Sequence, residues 1–180
     1  TAYINTSPRS GTIALALAYD TVKAGSANSV LVAAADLRLG APAGMGEQQY
    51  GDGAGALLVG KDNVIAEILG IYSVSDELAA TWRADDDKFV RSGEDRFVQD
   101  EGYSKSVPEA MQGVLKKCGL AAKDITKVVL DPPGDPRRHG SAITKAGFQA
   151  AQIQDPFALF LNAGITGCAM APMMLICALE

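Results

Sequence analysis

Hydrophobic and polar positions along the chain alternate between runs that suit buried helices and runs that suit buried strands. Residues 12–24, "TIALALAYDTVKA", are nearly all apolar and end at Gly25, which predicts a buried helix closed by a glycine cap. "SVLVAAAD" (29–36) is short and β-branched at its start, as a buried strand is. A Gly- and Pro-rich loop over 37–50 leads to "YGDGAGALLVG" (50–60), where small residues precede a second buried strand. After the turn "KDN", the imperfect alternation of "VIAEILGIYSVS" (64–75) predicts a third strand, near enough in sequence for 52–60 and 64–74 to pair as a hairpin.

From Asp76 to Asp100 the pattern becomes polar and predicts a short helix followed by a surface loop, long enough to wall a site. Val107, Met111, Val114 and Leu115 fall on one face of a helix over 102–120, ended by Gly119. "DITKVVLDPPGDPRRHG" (124–140) predicts a strand over Val128 to Leu130 and then a Pro- and Gly-rich loop. A helix around 141–147, an irregular "QDPF" and the loop "LNAGITG" (161–167) opening a last helix complete the pass. Alternation of this kind points to an α/β fold. A small-residue loop opens an apolar helix at 7–24 and again at 162–178, a weak sign of internal duplication.

With 180 residues, 48% hydrophobic and 21% charged, the chain can bury a sizeable core. The net charge of −5 argues against nucleic acid or an anionic membrane as partner, so an anionic ligand would need a local basic cluster. Cys118, Cys168 and Cys177 are scattered and lack metal-ligand spacing, which excludes a metal site of that kind and fits a reducing, cytoplasmic setting. No signal peptide and no apolar run of bilayer length is legible. The chain opens within "TAYIN" and stops inside an apolar helical run, which reads as a piece of something longer.

"AGSANSVLVAAAD" together with "GDGAGALLVG" resembles the thiolase superfamily, in particular its 3-hydroxy-3-methylglutaryl-CoA synthase and ketoacyl synthase III-like branch. "TWRADDDKFVRSGEDRF", "GYSKSVPEAMQGVLKKCGL", "VVLDPPG" and "NAGITG" follow in that family's order. The resemblance implies a layered α/β/α/β/α sandwich, incomplete here at both ends. It divides the chain into 1–62, the remainder of a first thiolase-like half, and 63–180, most of a second. It also implies acyl-CoA as ligand, no covalently bound cofactor, and a homo-dimer or a hetero-oligomer with another thiolase-like chain.

Family chemistry is a Claisen-type condensation, or its reverse, on acyl-CoA. A cysteine opening the buried helix is acylated, while a histidine and an asparagine polarise the thioester carbonyl. In the Cys-x-x-Gly-Thr/Ser pattern, "PRSGT" places Pro8 where the cysteine stands, and proline offers neither nucleophile nor N–H. Ser7 and Ser10 flank it without a visible base, so unrelated hydrolysis by one of them with Asp131 is a remote reading. In the His-x-Pro pattern, "LDPPG" places Asp131 at the histidine and Pro133 at the proline. A carboxylate is a poor donor to a thioester oxygen unless burial raises its pKa strongly.

Asn162 matches the asparagine-bearing loop, or is an ordinary helix cap. Arg137 and Arg138 fall where the family turns basic residues toward CoA phosphates, or belong to a solvated loop; His139 beside them is read as unspecialised. Glu47 reads as a surface glutamate more than an acid/base remnant, Trp82 as core more than the wall of an acyl-CoA tunnel, and Met173, Met174, Cys168 and Cys177 as core. These substitutions favour a degenerate subunit that is structural or binds acyl-CoA; the alternative is an active acyltransferase.

Overall fold

In the computed structural model, residues 1–131, 136–154 and 157–180 are described, without the side chains of 136–139 and 157–158. Helix α1 (Ser10–Lys23) is followed by strand β1 (Ser29–Asp36), the short helix α2 (Met45–Gln49) and strand β2 (Gly53–Gly60). Strands β3 (Thr81–Trp82) and β4 (Arg91–Ser92) form a small hairpin ahead of one turn, α3 (Asp95–Phe97). A π-helical turn, Val98–Tyr103, runs into α4 (Ser104–Cys118). Helices α5 (Pro136–Lys145), α6 (Phe157–Ala163) and α7 (Met170–Leu179) complete a mixed α/β architecture.

β1 and β2 pair antiparallel, from Ser29 opposite Gly60 to Asp36 opposite Gly53. Residues opposite one another share a face, so Val32, Ala34 and Asp36 lie with Leu57, Gly55 and Gly53. α1 and α7 cover that face. Met173 and Ile176 of α7 lie over Gly55, where an added Cβ would stand 3.4 and 3.5 Å from their side chains, in ordinary contact. The opposite face is apolar and open: Leu31 and Leu58, directly across from each other, are 68% and 72% exposed. A second core lies between α4 and α5, where Val128, Ile143, Ala146 and Phe148 pack with Met111 and Leu115.

The helices over 12–24 and 102–120 form as the periodicity predicts, with Gly25 (φ 76°) and Gly119 (φ 68°) in left-handed caps. The hairpin of 52–60 with 64–74 does not form, because β2 takes β1 as its partner. Residues 64–75 join no strand; Lys117 Nζ donates to the Ile71 carbonyl at 2.7 Å and the Tyr72 ring packs on Gly113, so the segment lies along α4. None of its residues is buried, and Val64, Ile65 and Leu69 are 52%, 87% and 67% exposed, so the alternation marks no covered strand face here.

Other expectations shift. The first part of 76–100 holds the β3–β4 hairpin in place of a helix. Val128 makes only an isolated parallel bridge to Ile153. Trp82 is 44% exposed on β3, outside the core, and Cys177 is exposed as well, whereas Met174 is fully buried. Glu47 is a surface residue as expected; its Oε2 accepts the Ala43 N–H at 2.7 Å and steadies the start of α2.

Candidate functional site

The loop before α1 closes on itself. Ser10 Oγ donates to the Ser7 carbonyl at 2.7 Å, Ser10 N–H reaches the same oxygen at 2.9 Å, and Arg9 N–H donates to Ser7 Oγ at 3.2 Å. Ser10 is buried in these contacts and is not presented to a base, which removes the geometry that a serine nucleophile needs. Pro8 sits exposed at the tip. One turn on, Gly11 lies so close to α7 that a Cβ would stand 2.3 Å from the Cys168 carbonyl oxygen and 3.2 Å from Ala34 Cβ. The start of α1, the end of β1 and the approach to α7 are thereby pressed together.

Asp36, the last residue of β1, secures the other side of this junction. Its Oδ2 accepts the Cys168 N–H at 3.0 Å, at the 3₁₀ turn Gly167–Ala169 that opens α7. Gly167 adopts φ 54°, and a Cβ there would stand 1.9 Å from the same carboxylate oxygen. Cys168 Sγ donates to the Ala35 carbonyl at 3.4 Å; burial, and next the Asp36 charge, push its thiol up, the opposite of what a nucleophilic cysteine requires.

Two residues past β1, the Arg38 guanidinium lies 4.5 Å from the centroid of the Tyr50 ring. It makes no ion pair or hydrogen bond with the described residues. Asp131 lies within its field, and Oδ1 of Asp131 is buried with no hydrogen-bond partner among the described residues. Burial pushes the Asp131 carboxyl up to about 7, with the Arg38 charge opposing. Tyr103, at the end of the π turn, is raised by burial and then by the Asp131 charge.

Asn162 is exposed on the last turn of α6, and so is not the cap of α7, whose opening turn begins after Thr166. Its neighbours are tied to the loop after α2: Ile165 N–H donates to the Gln49 carbonyl at 2.7 Å, and the Ala163 carbonyl abuts Gly51. Tyr50, bridged to Ile165, carries Arg38 on its ring, which links the asparagine segment to the Asp131 neighbourhood. The segments bearing Pro8, Asp131 and Asn162 thus converge around the start of α7. Arg137 and Arg138 lie in the first turn of α5, with side chains outside the described residues, as is His139; Pro133 lies outside them entirely.

Asp36, Arg38 and Tyr103 were not singled out by sequence reasoning. "AADLRLG" did carry a signal, a charge pair placed directly after a buried strand, but charge at a strand end is ordinary. Among the described residues no group of three or more His, Cys, Asp or Glu could hold a metal ion, and no helix is long and apolar enough to cross a membrane.

No protein-family model matches the chain. A hydroxymethylglutaryl-CoA synthase of Thermoplasma volcanium is 30% identical over 151 residues, which are 82% of this chain and 41% of that protein. Among solved structures, 3-oxoacyl-(acyl carrier protein) synthase III of Pseudomonas aeruginosa aligns with a TM-score of 0.81 at 19% identity, over 98% of this chain and 56% of its own. An HMG-CoA synthase complexed with CoA aligns with a TM-score of 0.78 at 17% identity, over 98% of this chain and 48% of its own. The chain therefore spans about two fifths of that curated relative and about half of these solved chains. By its thiolase-like fold and its kinship with the hydroxymethylglutaryl-CoA synthases, the chain belongs to the thiolase superfamily.

Proposed function

We propose that this chain is a thiolase-fold subunit that performs no condensation itself, and serves as a structural or acyl-CoA-binding partner of an active chain. The observation that carries this reading is Pro8 at the tip of the loop opening α1, where the resemblance places the acylated cysteine. Proline lacks a nucleophile, and the flanking Ser7 and Ser10 are held in the hydrogen bonds of their own loop. Asp131 in the histidine place is the second departure.

Residues 1–62 are read as the remainder of a first thiolase-like half and 63–180 as most of a second. Packing of α1 against α7, the two apolar helices of similar openings, supports that reading. The open apolar face at Leu31 and Leu58 supports an assembly in which another chain lies over it, as a homo-dimer or a hetero-oligomer. CoA is the ligand class, since CoA is bound in a solved HMG-CoA synthase of the same fold; Arg137 and Arg138 are the residues assigned to its phosphates. The setting is the cytoplasm, in keeping with three free cysteines.

Incubation with acetyl-CoA followed by intact-mass analysis tests the reading. No adduct is expected; a stable acetyl adduct on this chain would overturn it. Binding of CoA that is lost in Arg137→Ala/Arg138→Ala supports the phosphate assignment, whereas unchanged binding removes the pair from the site.

A further inference from the structure

We propose that the cleft between α1, residues 68–72 and α4 binds a straight-chain fatty acid, with the hydrocarbon chain in the cleft and the carboxylate at Arg9. This goes beyond the acyl-CoA-binding reading and does not depend on it.

Segment 68–72 runs between the two helices and leaves an open cavity of about 380 Å3. Small-molecule sites commonly occupy about 300–1,000 Å3. Leu15 and Ala16 of α1, Ile68 and Ile71 of the segment, and Met111 and Val114 of α4 form most of its wall. No charged side chain lines it, and neither do Asp131 and Asn162. Of its two hydroxyl-bearing residues, Thr12 and Tyr72, Thr12 already donates its Oγ1 hydrogen to the Arg9 carbonyl at 2.9 Å.

Charge stands at the two ends. Arg9, at the N-cap of α1, reaches across to the segment, where its Nη1 donates to the Val74 carbonyl at 3.5 Å. Lys117, in the last turn of α4, donates from Nζ to the Ile71 carbonyl at 2.7 Å. Neither cation has a carboxylate within 4.0 Å among the described residues. Lys117 is held by a close bond, whereas Arg9 is exposed on a long one, and its guanidinium carries five N–H donors. Arg9 is therefore the end that takes an anion.

The polar groups also select the kind of occupant. An added polypeptide strand would pair with the backbone of the segment, but the carbonyls of Ile71 and Val74 already accept from Lys117 and Arg9. An unbranched hydrocarbon needs no hydrogen bond along the cleft, and burying it there removes apolar surface from water on both sides. Its single carboxylate then meets the guanidinium fork at the rim.

Methyl-region NMR spectra of the wild-type chain, recorded with sodium decanoate below its micelle concentration, test this. Shifts are expected at Leu15, Ile68, Ile71 and Met111, and none at Leu31 and Leu58 on the open sheet face. Ala16→Phe and Ala110→Phe, which fill the cleft from opposite walls, should each abolish the shifts. Arg9→Gln should weaken decanoate about two- to fivefold, as loss of an exposed ion pair does, and leave decanol unchanged.

An absence of shifts, or shifts at Leu31 and Leu58 as large as those in the cleft, overturns the proposal. So does equal weakening of decanoate and decanol in Arg9→Gln. Shifts with decanoyl-CoA and none with decanoate would overturn it in favour of an acyl chain carried on CoA. The wild-type map is decisive even where a variant fails to fold.

Discussion

Oδ2 of Asp36 accepts the backbone N–H of Cys168 at 3.0 Å, so the end of β1 caps the turn that opens α7 across 132 residues of sequence. A carboxylate at a helix opening satisfies a donor with no partner inside the helix and meets the positive end of its dipole. Arg38, two residues on, lies over the Tyr50 ring, with its charge acting on Asp131.

Removing the cap has two readouts. Asp36→Ala should lower stability by about 1–2 kcal/mol in urea unfolding, as loss of a capping carboxylate does. The same change removes a charge that holds the Cys168 thiol up, so Cys168 should react faster with a thiol reagent in the folded variant.

Gly11 tests the approach of α1 to α7. A Cβ there would meet the Cys168 backbone at 2.3 Å, and backbone cannot swing aside, so Gly11→Ala should cost about 2–3 kcal/mol. Gly140, on α5, has nothing within 4 Å of the added carbon, and Gly140→Ala should be neutral or stabilise by about 0.5–1 kcal/mol through helix propensity. Thermal unfolding of the two variants compares a close contact with open space.

Asp131 makes stability depend on pH in a direction opposite to most carboxylates. Its folded pKa of about 7 lies above the ordinary 3.8, so between these values the folded chain binds more protons than the unfolded one. The stability it contributes is complete below about pH 4 and is lost as pH rises through 7. Asp131→Asn should remove that slope and leave the variant more stable than wild type at pH 8, by an amount on the order of 2 kcal/mol. Denaturant midpoints at pH 5 and pH 8 check it; a wild type whose stability rises over that interval by Asp131's own contribution would contradict the assignment.

Restoring the expected pair should not restore a catalyst. Pro8→Cys with Asp131→His is expected to show little condensation of acetyl-CoA, because the loop around residue 8 is tied by the Ser7 and Ser10 bonds. A histidine beside the Arg38 charge would also be disfavoured as the imidazolium. Release of free CoA thiol, followed spectrophotometrically, measures this; turnover comparable with an active synthase would show that two residues were the whole loss.

Local pattern was enough to find α1, β1, β2 and α4 in the sequence, because a helix or strand with one buried side writes its period into the chain. It was not enough to find the partner of β2. Residues 64–74 alternate as a strand does and lie nearer than 29–36, yet β2 pairs with β1 and 64–74 buries no face, since alternation along a segment does not say whether a partner will cover it. Trp82 was misplaced for the same reason: an aromatic in a polar stretch gives no sign of whether the fold covers it.

Sequence by itself determined the α/β class, the kinship, and the presence of Pro8 and Asp131 where the family resemblance places a cysteine and a histidine. Those are matters of residue identity and order. Only the tertiary structure decided that Oδ1 of Asp131 is buried without a partner among the described residues, that the Arg38 charge acts on it, and that Asn162 lies in the last turn of α6 and does not cap α7. Burial and electrostatic environment are made by residues distant in sequence, here Arg38 acting on Asp131 and Asp131 on Tyr103, and a linear chain does not bring them together until it folds.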